Sequence, residues 1–521
     1  MSRARFLQKD LLAKAMTRGT RILGVPFNFA LNNIALFMTL MLVFYTVTQK
    51  AVCLMVAIGG MTISHIVMMI LSLKEEHALK MIFSNFSLCA STPFDDTQSY
   101  TPLTSTIKRP AIKERSSKKH LPWTHLYNQH TVMTKKGELL QVLTLEGISF
   151  HTEEGTTLDD NKNLRNRLLY QMASPSIAIS FYTIRRKQAL YPEGEYEPGF
   201  ACDFNARYKA QMTSSPRYQN ALYIVLLHKA PAFSKGIKKP RRHNEDIKMQ
   251  RAWHDKALKT LNEQSSRIIS LFKKENCRRL GSIQEHYAAS ELLSFLSELT
   301  NLEPRVVRQP LQALNTYLAT KSHHFAKRRG IIQIRSADGS SKYAAMLSLK
   351  EYPEETSACL LDSLLSANCE LILTQSFFFK HNQPALKALQ TQQRKMTKTD
   401  DSILLADAID LSIEELKAGI AAYGEHHLSI CVIARDIESL DKGIYEIESK
   451  LNQEAGLILA REEQGVELAF WAQLPGNHAY RIRHSLINSL NVASLANLHN
   501  YPLGQAHGNH WGEAITVLET L

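Results

Sequence analysis

The sequence predicts an α+β protein that begins with a two-helix transmembrane hairpin and continues as a cytosolic mixed α/β scaffold, with helices packed on a sheet. The hairpin is inferred from two runs without a charged side chain, residues 22–49 and 51–73. The scaffold is inferred from strand-like and helix-like segments that alternate from about residue 330 onward, which is typical of a layered domain. Ordinary numbers of glycine and proline, 22 and 17, exclude a disordered or fibrous chain.

The first segment, residues 1–90, is predicted to be a membrane anchor. A helix needs about 20 mostly apolar residues to cross the hydrocarbon core, and spans of about 24–48 and 51–73 satisfy this. Six cations precede the first span, whereas only Lys50 separates the two spans. The positive-inside rule therefore places the N-terminus in the cytoplasm, and a second crossing returns the large domain to the same side.

His65 lies inside the second span and admits two interpretations. An ionisable residue within a membrane can act as a proton relay or a ligand. A neutral imidazole bonded to an asparagine of the first span is the simpler interpretation, because no acidic partner is near in sequence.

The net charge of +13 is concentrated in three segments. Residues 1–90 carry a net +6, and residues 108–119 and 235–242 carry +5 each, so the rest of the chain is slightly acidic at −3. This partition disfavours direct nucleic-acid binding by the scaffold and assigns the charge to membrane topology. Seven thinly spread cysteines without a C-x-x-C pair exclude a disulfide framework.

Three further segments follow the anchor in the predicted domain organisation. Residues 91–120 form a basic linker rich in serine, threonine and proline. Residues 121–330 form a first α+β subdomain, and residues 331–521 form a second, α/β subdomain. The predicted strands are 176–188, 220–230, 342–352, 369–379, 426–436 and 465–474, with two more within 131–150. The predicted helices are 159–173, 245–274, 354–366, 383–423 and 437–454.

The sequence assigns no catalytic, cofactor-binding or metal-binding residue. A phosphate-binding loop needs G-x-x-x-x-G-K-[ST], and none of the 22 glycines precedes a lysine. The nearest spacing, residues 419–426, has Glu425 at the lysine position and fits a helix C-cap better. His499, His507 and His510 with Glu513 could ligate a metal, but their spacing matches no established zinc pattern.

Three stretches resemble the CagE/TrbE/VirB family, the conjugal-transfer ATPases that are the fourth VirB component of type IV secretion systems. They are TKKGELLQVLTLEGISFHTEEG at 134–155, the segment 347–379 and the segment 460–520. The run FWAQLPGN at 470–477 is the most specific part. The front of the chain, residues 10–33 with its L-x-x-A-x-T-R and G-V-P elements, is similar to the small third VirB component, so the chain resembles a fusion of the two.

The resemblance carries over no catalytic residue, because the family places its nucleotide-binding domain beyond the position of Leu521. It implies ATP and Mg²⁺ only for the full-length family member, so the chain alone is expected to be inactive as an ATPase. We therefore expect an inner-membrane assembly scaffold that energises conjugative or effector transport only with a P-loop domain. The alternative is a membrane-tethered DNA-binding or cargo-docking protein. The resemblance implies other inner-membrane secretion components and further copies of the chain as partners.

Overall fold

A computed structural model describes residues 7–12, 17, 21–22, 25–48, 52–74, 77–89, 97–101, 115–187, 191, 198–214, 217–231, 243–283, 289–396 and 403–502. Several features of the sequence analysis lie outside this part of the chain: Lys50, 108–113, 235–242, His507, His510 and Glu513.

One large sheet organises the scaffold. In the described part of the chain it contains fifteen strands, and twelve of them lie in the order β5-β4-β15-β16-β17-β20-β19-β9-β10-β8-β7-β6, while β11, β21 and β22 pair with β8, β17 and β20. These strands are β4 (Thr97–Thr101), β5 (Arg115–Ser116), β6 (Trp123–Asn128), β7 (Thr131–Thr134), β8 (Leu139–Leu145), β9 (Ile177–Lys187), β10 (Tyr218–His228), β11 (Arg278–Arg279), β15 (Ser322–Ala326), β16 (Ile331–Arg335), β17 (Ser341–Glu351), β19 (Glu370–Phe379), β20 (Tyr423–Ala434), β21 (Ile458–Arg461) and β22 (Ser485–Asn488).

Seven short strands lie outside this sheet and form small ladders. They are β1 (Asp10–Leu11), β2 (Arg21–Ile22), β3 (Val25–Pro26), β12 (Ser282–Ile283), β13 (Ala289–Ser290), β14 (Val307–Arg308) and β18 (Glu355–Thr356). The pair that matters most for function is β1 with β18, because it joins the start of the chain to the scaffold.

Both faces of the large sheet are buried, which explains why its central strands have nearly continuous apolar sequences. Alternate residues of a strand point to opposite faces. In β9, Ile177, Ile179 and Phe181 contribute to one core, whereas Tyr182 and Ile184 contribute to the core on the other face. The predicted mixed α/β scaffold is therefore confirmed, with helices covering the sheet on both sides.

Thirteen α-helices occupy the described residues, and most of them cover the sheet. They are α1 (Phe27–Thr48), α2 (Val52–Lys74), α3 (Ala78–Ser84), α4 (Gly155–Gln171), α5 (Phe200–Ser214), α6 (His243–Leu271), α7 (Glu291–Asn301), α8 (Leu314–Tyr317), α9 (Asn382–Met396), α10 (Ile403–Ala418), α11 (Ile437–Ala455), α12 (Val466–Ala472) and α13 (Ser489–Leu495). A π-helix, Asn85–Cys89, directly continues α3.

Helix α11 shows why these segments fold as they do. Asp436 caps its first turn by accepting a hydrogen bond from the Ser439 amide at 2.8 Å. The buried residues Leu440, Ile444, Ile447 and Leu451 recur at helical spacing and face the sheet. Gly456, with φ of 62°, ends the helix in the left-handed conformation that glycine adopts most readily.

Strands from both sides of residue 330 share the large sheet. Strand β9 pairs antiparallel with β19, for example at Arg185 with Leu371, and β19 in turn pairs with β20. The predicted subdomains 121–330 and 331–521 are thus joined by continuous backbone pairing, while the boundary between them stays a prediction. The anchor segment 1–90 and the linker 91–120 also stay predictions as domain boundaries.

Helices α1 and α2 pack against each other as a helical hairpin. A Cβ atom added to Gly60 would lie 2.8 Å from Cε1 of Phe37, so the phenyl ring occupies the space that glycine leaves. The Asn33 side-chain amide donates a hydrogen bond to the Met61 carbonyl oxygen at 3.4 Å. The bond predicted between His65 and an asparagine is absent from the described contacts, and His65 Nε2 has no partner among the described residues.

The two helices differ in how well they meet the requirements of a membrane span. Within the described residues, one helix is long and apolar enough to cross a membrane, over Met55–Ser72 in α2. The apolar part of α1, Asn28–Val43, is shorter. Several large apolar side chains of both helices are exposed, including Leu42 at 65% and Met55 at 77%. One candidate span is therefore present by length and composition.

The strand predicted over 465–474 is wrong, because residues 466–472 form helix α12. All seven residues of this helix are buried, so no polar face reveals the helical period. A short, continuously apolar run fits a buried strand and a buried helix equally well.

Two predicted helices also differ from the structure. Residues 354–366 contain β18 and a 3₁₀-helix, Asp362–Ser366, because Glu355 and Thr356 pair with the N-terminal strand β1. The helix predicted over 383–423 is two helices, α9 and α10, and α10 ends before Gly419, whose φ is 70°.

The contact between Gly60 and Phe37 yields a test of the hairpin. Gly60→Leu should force the helices apart, whereas Gly59→Leu should not, because no atom lies within 4 Å of a Cβ at Gly59. Thiol cross-linking between Asn33→Cys and Met61→Cys measures the separation, with the native cysteines replaced. Equal cross-linking in both leucine variants would contradict the packing.

Candidate functional site

The segment before the hairpin is fastened to the scaffold by backbone pairing. Strand β1 runs antiparallel to β18, with Asp10 opposite Thr356 and Leu11 opposite Glu355. The Leu12 amide donates to the Glu354 carbonyl oxygen at 2.8 Å, and the Leu12 side chain is buried in the main core. The N-terminal arm, residues 7–12, is thus part of the folded scaffold.

A buried lysine strengthens this attachment. Lys162 of α4 is fully buried, and its Nζ lies 2.9 Å from Asp10 Oδ2 and 3.6 Å from Asp159 Oδ1. The same ammonium donates to the Gln8 carbonyl oxygen at 3.1 Å. A buried cation needs charged and hydrogen-bonding partners, and the N-terminal arm supplies two of the three.

The segment after the hairpin is fastened to a different edge of the scaffold. Helix α3 and the π-helix, together residues 78–89, form the C-terminal arm. Lys80 Nζ donates to the Ile482 carbonyl oxygen at 2.5 Å and lies 3.0 Å from His484 Nε2. The Asn85 amide donates to the Gln464 carbonyl oxygen at 3.3 Å. Burial, followed by the charge of Arg481, lowers the pKa of Lys80 to about 8.

The bases of the hairpin helices pack on the C-terminal arm. Val25, Ala30 and Leu79 form a small buried cluster. The rings of Phe29 and Phe83 stack with centroids 5.6 Å apart. The base of the hairpin therefore packs on the C-terminal arm, while the N-terminal arm fastens the preceding segment to the scaffold at a separate site.

The run at 470–477 is largely buried, and its side chains pack in the core on the second face of the sheet. Phe470 and Trp471 are fully buried in the core on the second face of the sheet. The Asn477 amide donates to the carbonyl oxygens of His120 at 2.7 Å and Trp471 at 3.0 Å. The Trp123 indole donates to the Pro475 carbonyl oxygen at 3.0 Å. This run locks β6 and its preceding turn onto α12.

An ionic contact lies next to this run. Glu467 is fully buried in α12, accepts a hydrogen bond from the Tyr100 hydroxyl and lies 3.7 Å from Lys327 Nζ. Tyr100 belongs to β4 and Lys327 follows β15, so the carboxylate joins three elements. The arrangement links α12, and through it the C-terminal arm, to the edge of the sheet.

The structure places His499 beside two residues that the sequence analysis did not single out. Its Nδ1 lies 2.9 Å from Asp362 Oδ2, and one ligand atom from each of Cys359, Asp362 and His499 falls within 4.8 Å of the others. Sulfur, carboxylate and imidazole are zinc-ligand types. No spacing rule could have found a set separated by about 140 residues.

The surroundings of this set favour a structural role. The Asn497 side-chain amide also donates to Asp362, and the His499 ring stacks on Phe150 with centroids 5.3 Å apart. The buried guanidinium of Arg165 interacts electrostatically with Asp362 and Cys359, and burial lowers its pKa to about 10. A positive charge already faces the set, so we assign it no metal. The other members of the predicted histidine cluster lie outside the described residues.

The contact between Lys327 and Glu467 yields a test by double-mutant cycle. Lys327→Met should destabilise the protein by about 3–5 kcal/mol, because it removes a cation from a fully buried carboxylate. Adding Glu467→Gln should recover part of this loss, as measured by chemical unfolding in detergent. The exposed pair Lys442 and Glu438 of α11 is the control and should show no measurable coupling. Equal coupling in the two cycles would contradict the role of the buried pair.

Two family models match the chain in consecutive segments. Residues 130–236 match the N-terminal domain of the type IV secretion system ATPase VirB4/TrbE. Residues 278–483 match the CagE, TrbE, VirB family, described as a component of type IV transporter systems. The resemblance drawn from 134–155, 347–379 and 470–477 is thereby confirmed.

Curated relatives agree with these models. The chain is 31% identical over 427 residues to the type IV secretion system protein virB4 of Bartonella quintana, covering 80% of this chain and 53% of the relative. The protein of the same name from Brucella suis is 27% identical over 421 residues, covering 78% and 50%. The PtlC protein of Bordetella pertussis is 25% identical over 423 residues, covering 79% and 50%.

The chain spans about half the length of the curated relatives that it matches. The matched segments include β8, β9, β10, β17, β19 and β20, which form the centre of the large sheet. Two consecutive parts of the chain, residues 130–236 and 278–483, are thus those of a VirB4/TrbE-type component of type IV secretion systems.

Proposed function

We propose that the chain is a membrane-anchored assembly scaffold of a type IV secretion system, placed at the bacterial inner membrane with its N-terminus and scaffold in the cytoplasm. Family membership supports the secretion role. One observation carries the anchoring role, namely that both ends of the apolar hairpin are attached to the same scaffold.

Attachment of both ends constrains how the hairpin meets the membrane. The N-terminal arm pairs with β18, and the C-terminal arm packs on residues 464–484. Two ends held on one body lie on one side of the bilayer, so a hairpin that enters the membrane crosses it an even number of times. The packing of α1 against α2 then supports two antiparallel spans.

The lengths of the helices are compatible with this topology. Helices α1 and α2 contain 22 and 23 residues. At 1.5 Å per residue they extend about 33 and 35 Å, compared with a hydrocarbon core of about 30 Å. The polar start of α1 lies at the end where the hairpin contacts the C-terminal arm, so Asn33 can bond within the helix pair.

We also propose that the front of the chain is a fused counterpart of the third VirB component. The resemblance of residues 10–33 suggests this origin. The contacts of the N-terminal arm explain how fusion would hold the anchor on the scaffold. In a fused chain the anchor and scaffold share the β1–β18 ladder and the Lys162 ion pair. Other inner-membrane secretion components and further copies of the chain are the proposed partners.

Nucleotide chemistry is not proposed for residues 1–521. No glycine in the chain precedes a lysine, so these residues lack the loop and lysine that hold nucleotide phosphates in P-loop enzymes. The residues 419–426, which approach the spacing, pass from the end of α10 into β20, and Glu425 contacts Lys380 at 3.1 Å. ATP and Mg²⁺ are therefore implied only by the family resemblance and are not assigned to any residue of this chain.

Insertion of a reporter between the two spans tests the topology. Alkaline phosphatase placed after Lys50 should be active, because that position should lie on the periplasmic side. The same reporter after Ser91 should be inactive, because that position should lie in the cytoplasm. Activity at both positions, or only after Ser91, would rule out the two-span hairpin. Release of the chain by carbonate would rule out membrane insertion altogether.

An assay of nucleotide turnover tests whether residues 1–521 bind and hydrolyse ATP. Purified residues 1–521 should hydrolyse ATP no faster than a mock purification from cells without the gene. Equilibrium dialysis with ATP and Mg²⁺ should show no stoichiometric binding. Stoichiometric binding together with turnover above the mock preparation would show that the chain is itself an ATPase.

A further inference from the structure

A basic cluster lies directly beside the C-terminal arm. We name it the Phe378 cluster and define it by one aromatic ring, four cations and one carboxylate: Phe378, Lys80, Lys229, Lys380, Arg481 and Glu425. Arg481 lies over the Phe378 ring with its guanidinium carbon 3.7 Å from the centroid, and Lys229 Nζ lies 4.6 Å from the same centroid. Two cations therefore share one ring, an arrangement stabilised by cation–π attraction.

The cluster carries more positive than negative charge. Glu425 lies 3.1 Å from Lys380 and 3.9 Å from Arg481. Among the described residues no other carboxylate lies within 4 Å of the four cations. The six residues thus carry a net +3, since four cations face one carboxylate. Glu138 acts on Lys229 only from a greater distance.

The lowered pKa values of the cations in the Phe378 cluster reflect this excess of positive charge. Burial and the charge of Arg481 lower the pKa of Lys229 to about 8, as they do for Lys80. Burial also lowers the pKa of Arg481 to about 10. Like charges that are partly removed from water raise each other's energy, and a bound anion relieves that cost.

The cluster is open to solvent along one edge. The side chains of Lys380, Glu425 and His484 are 35%, 29% and 32% exposed, whereas Arg481 is 6% exposed at the base. His484 and His478 flank the cluster, and burial lowers their pKa values to about 4 and about 3, so both are neutral at pH 7. An anion can therefore approach Lys380 from solvent, with the charge of Arg481 at the base of the same cluster.

The position of the C-terminal arm indicates where that anion comes from. Helix α3 begins four residues after α2 ends, so Lys80 follows the membrane-competent segment closely. Leu79 and Met81 are buried, but Phe83 and Phe86 are 59% and 55% exposed. Exposed phenylalanine rings on a short helix next to a span can insert at the boundary between head groups and acyl chains. The cations of the cluster and these rings belong to one membrane-proximal surface.

We propose that the Phe378 cluster binds the phosphate of an anionic phospholipid head group from the leaflet beneath which the scaffold lies. The inference rests on the proposed hairpin topology and adds a chemical ligand to it. The phosphate oxygens accept hydrogen bonds from the guanidinium of Arg481 and the ammonium groups of Lys80 and Lys229. A zwitterionic lipid should bind more weakly than an anionic one, because the positively charged group of its own head group is repelled by the net positive charge of the site.

Native mass spectrometry of the full chain in detergent tests the site, with phosphatidylglycerol and phosphatidylcholine as probes. The wild-type chain should retain phosphatidylglycerol in preference to phosphatidylcholine. The double variant Lys229→Gln/Arg481→Gln should lose at least about tenfold in phosphatidylglycerol affinity. Each lysine or arginine near an anionic lipid surface strengthens binding by about fivefold, and the double variant removes two. Lys417→Gln/Lys442→Gln removes the same charge from α10 and α11, away from the cluster, and should bind as the wild type does.

Three further measurements distinguish a lipid site from a site for a free anion or an acidic peptide. The single variant Lys380→Gln changes a partly exposed side chain and should weaken binding severalfold without unfolding the base of the cluster. Inorganic phosphate in excess should not displace the lipid, and displacement would identify a free-anion site instead. Equal lipid retention by the cluster and control variants would overturn the proposal, as would competition by an acidic peptide that binds more tightly than phosphatidylglycerol.

Carbonate extraction keeps this proposal distinct from the hairpin topology. If the hairpin spans the membrane, the double variant stays in the membrane pellet although its lipid selectivity is lost. Release of both wild type and variant would refute the topology, whereas retention of both with unchanged selectivity would refute the lipid site.

Discussion

The attachment of both ends of an apolar hairpin to one folded scaffold is the constraint on which the functional interpretation depends. The N-terminal arm is held by the β1–β18 ladder and by the buried ammonium of Lys162. The C-terminal arm is held by Lys80 and Asn85 on the loops around α12. Because neither end can move away from the body, the hairpin and scaffold behave as one unit. A displacement of the scaffold is then expected to carry the hairpin with it.

The large sheet makes these attachments rigid. Its central strands are covered on both faces, so β17, β19 and β20 offer little freedom to the loops that receive the two arms. The run at 470–477 contributes to the same rigidity, since Trp471 and Asn477 tie α12 to the turn before β6. The stretch that carried the resemblance in the sequence analysis is therefore a packing element. It fixes the surface where the C-terminal arm and the Phe378 cluster lie, which faces the membrane in the proposed topology.

The central strands could be predicted closely from the sequence, for example 176–188 for β9 and 369–379 for β19, because they are bounded apolar runs. Helix α12 could not, because burial on all sides removes the alternation of polar and apolar residues that distinguishes the two periods. The two-residue strand β1 has no local signal, and its partner lies about 345 residues away. The Phe378 cluster was equally hidden, since its cations come from α3, the end of β10, the end of β19 and the segment before β22. Only the tertiary fold brings them together.

Cross-linking of the N-terminal arm in native membranes tests the two-ended attachment most directly. Leu11 and Glu355 are opposed in the β1–β18 ladder, where paired Cα atoms lie about 4.5–5.5 Å apart. With the native cysteines replaced, Leu11→Cys/Glu355→Cys should react rapidly with a short thiol cross-linker. Tyr343→Cys/Ala434→Cys, opposed in the centre of the large sheet, is the positive control. Efficient reaction of both pairs is the expected result, whereas reaction of the control pair alone would show that the arm is not held by the scaffold in the membrane.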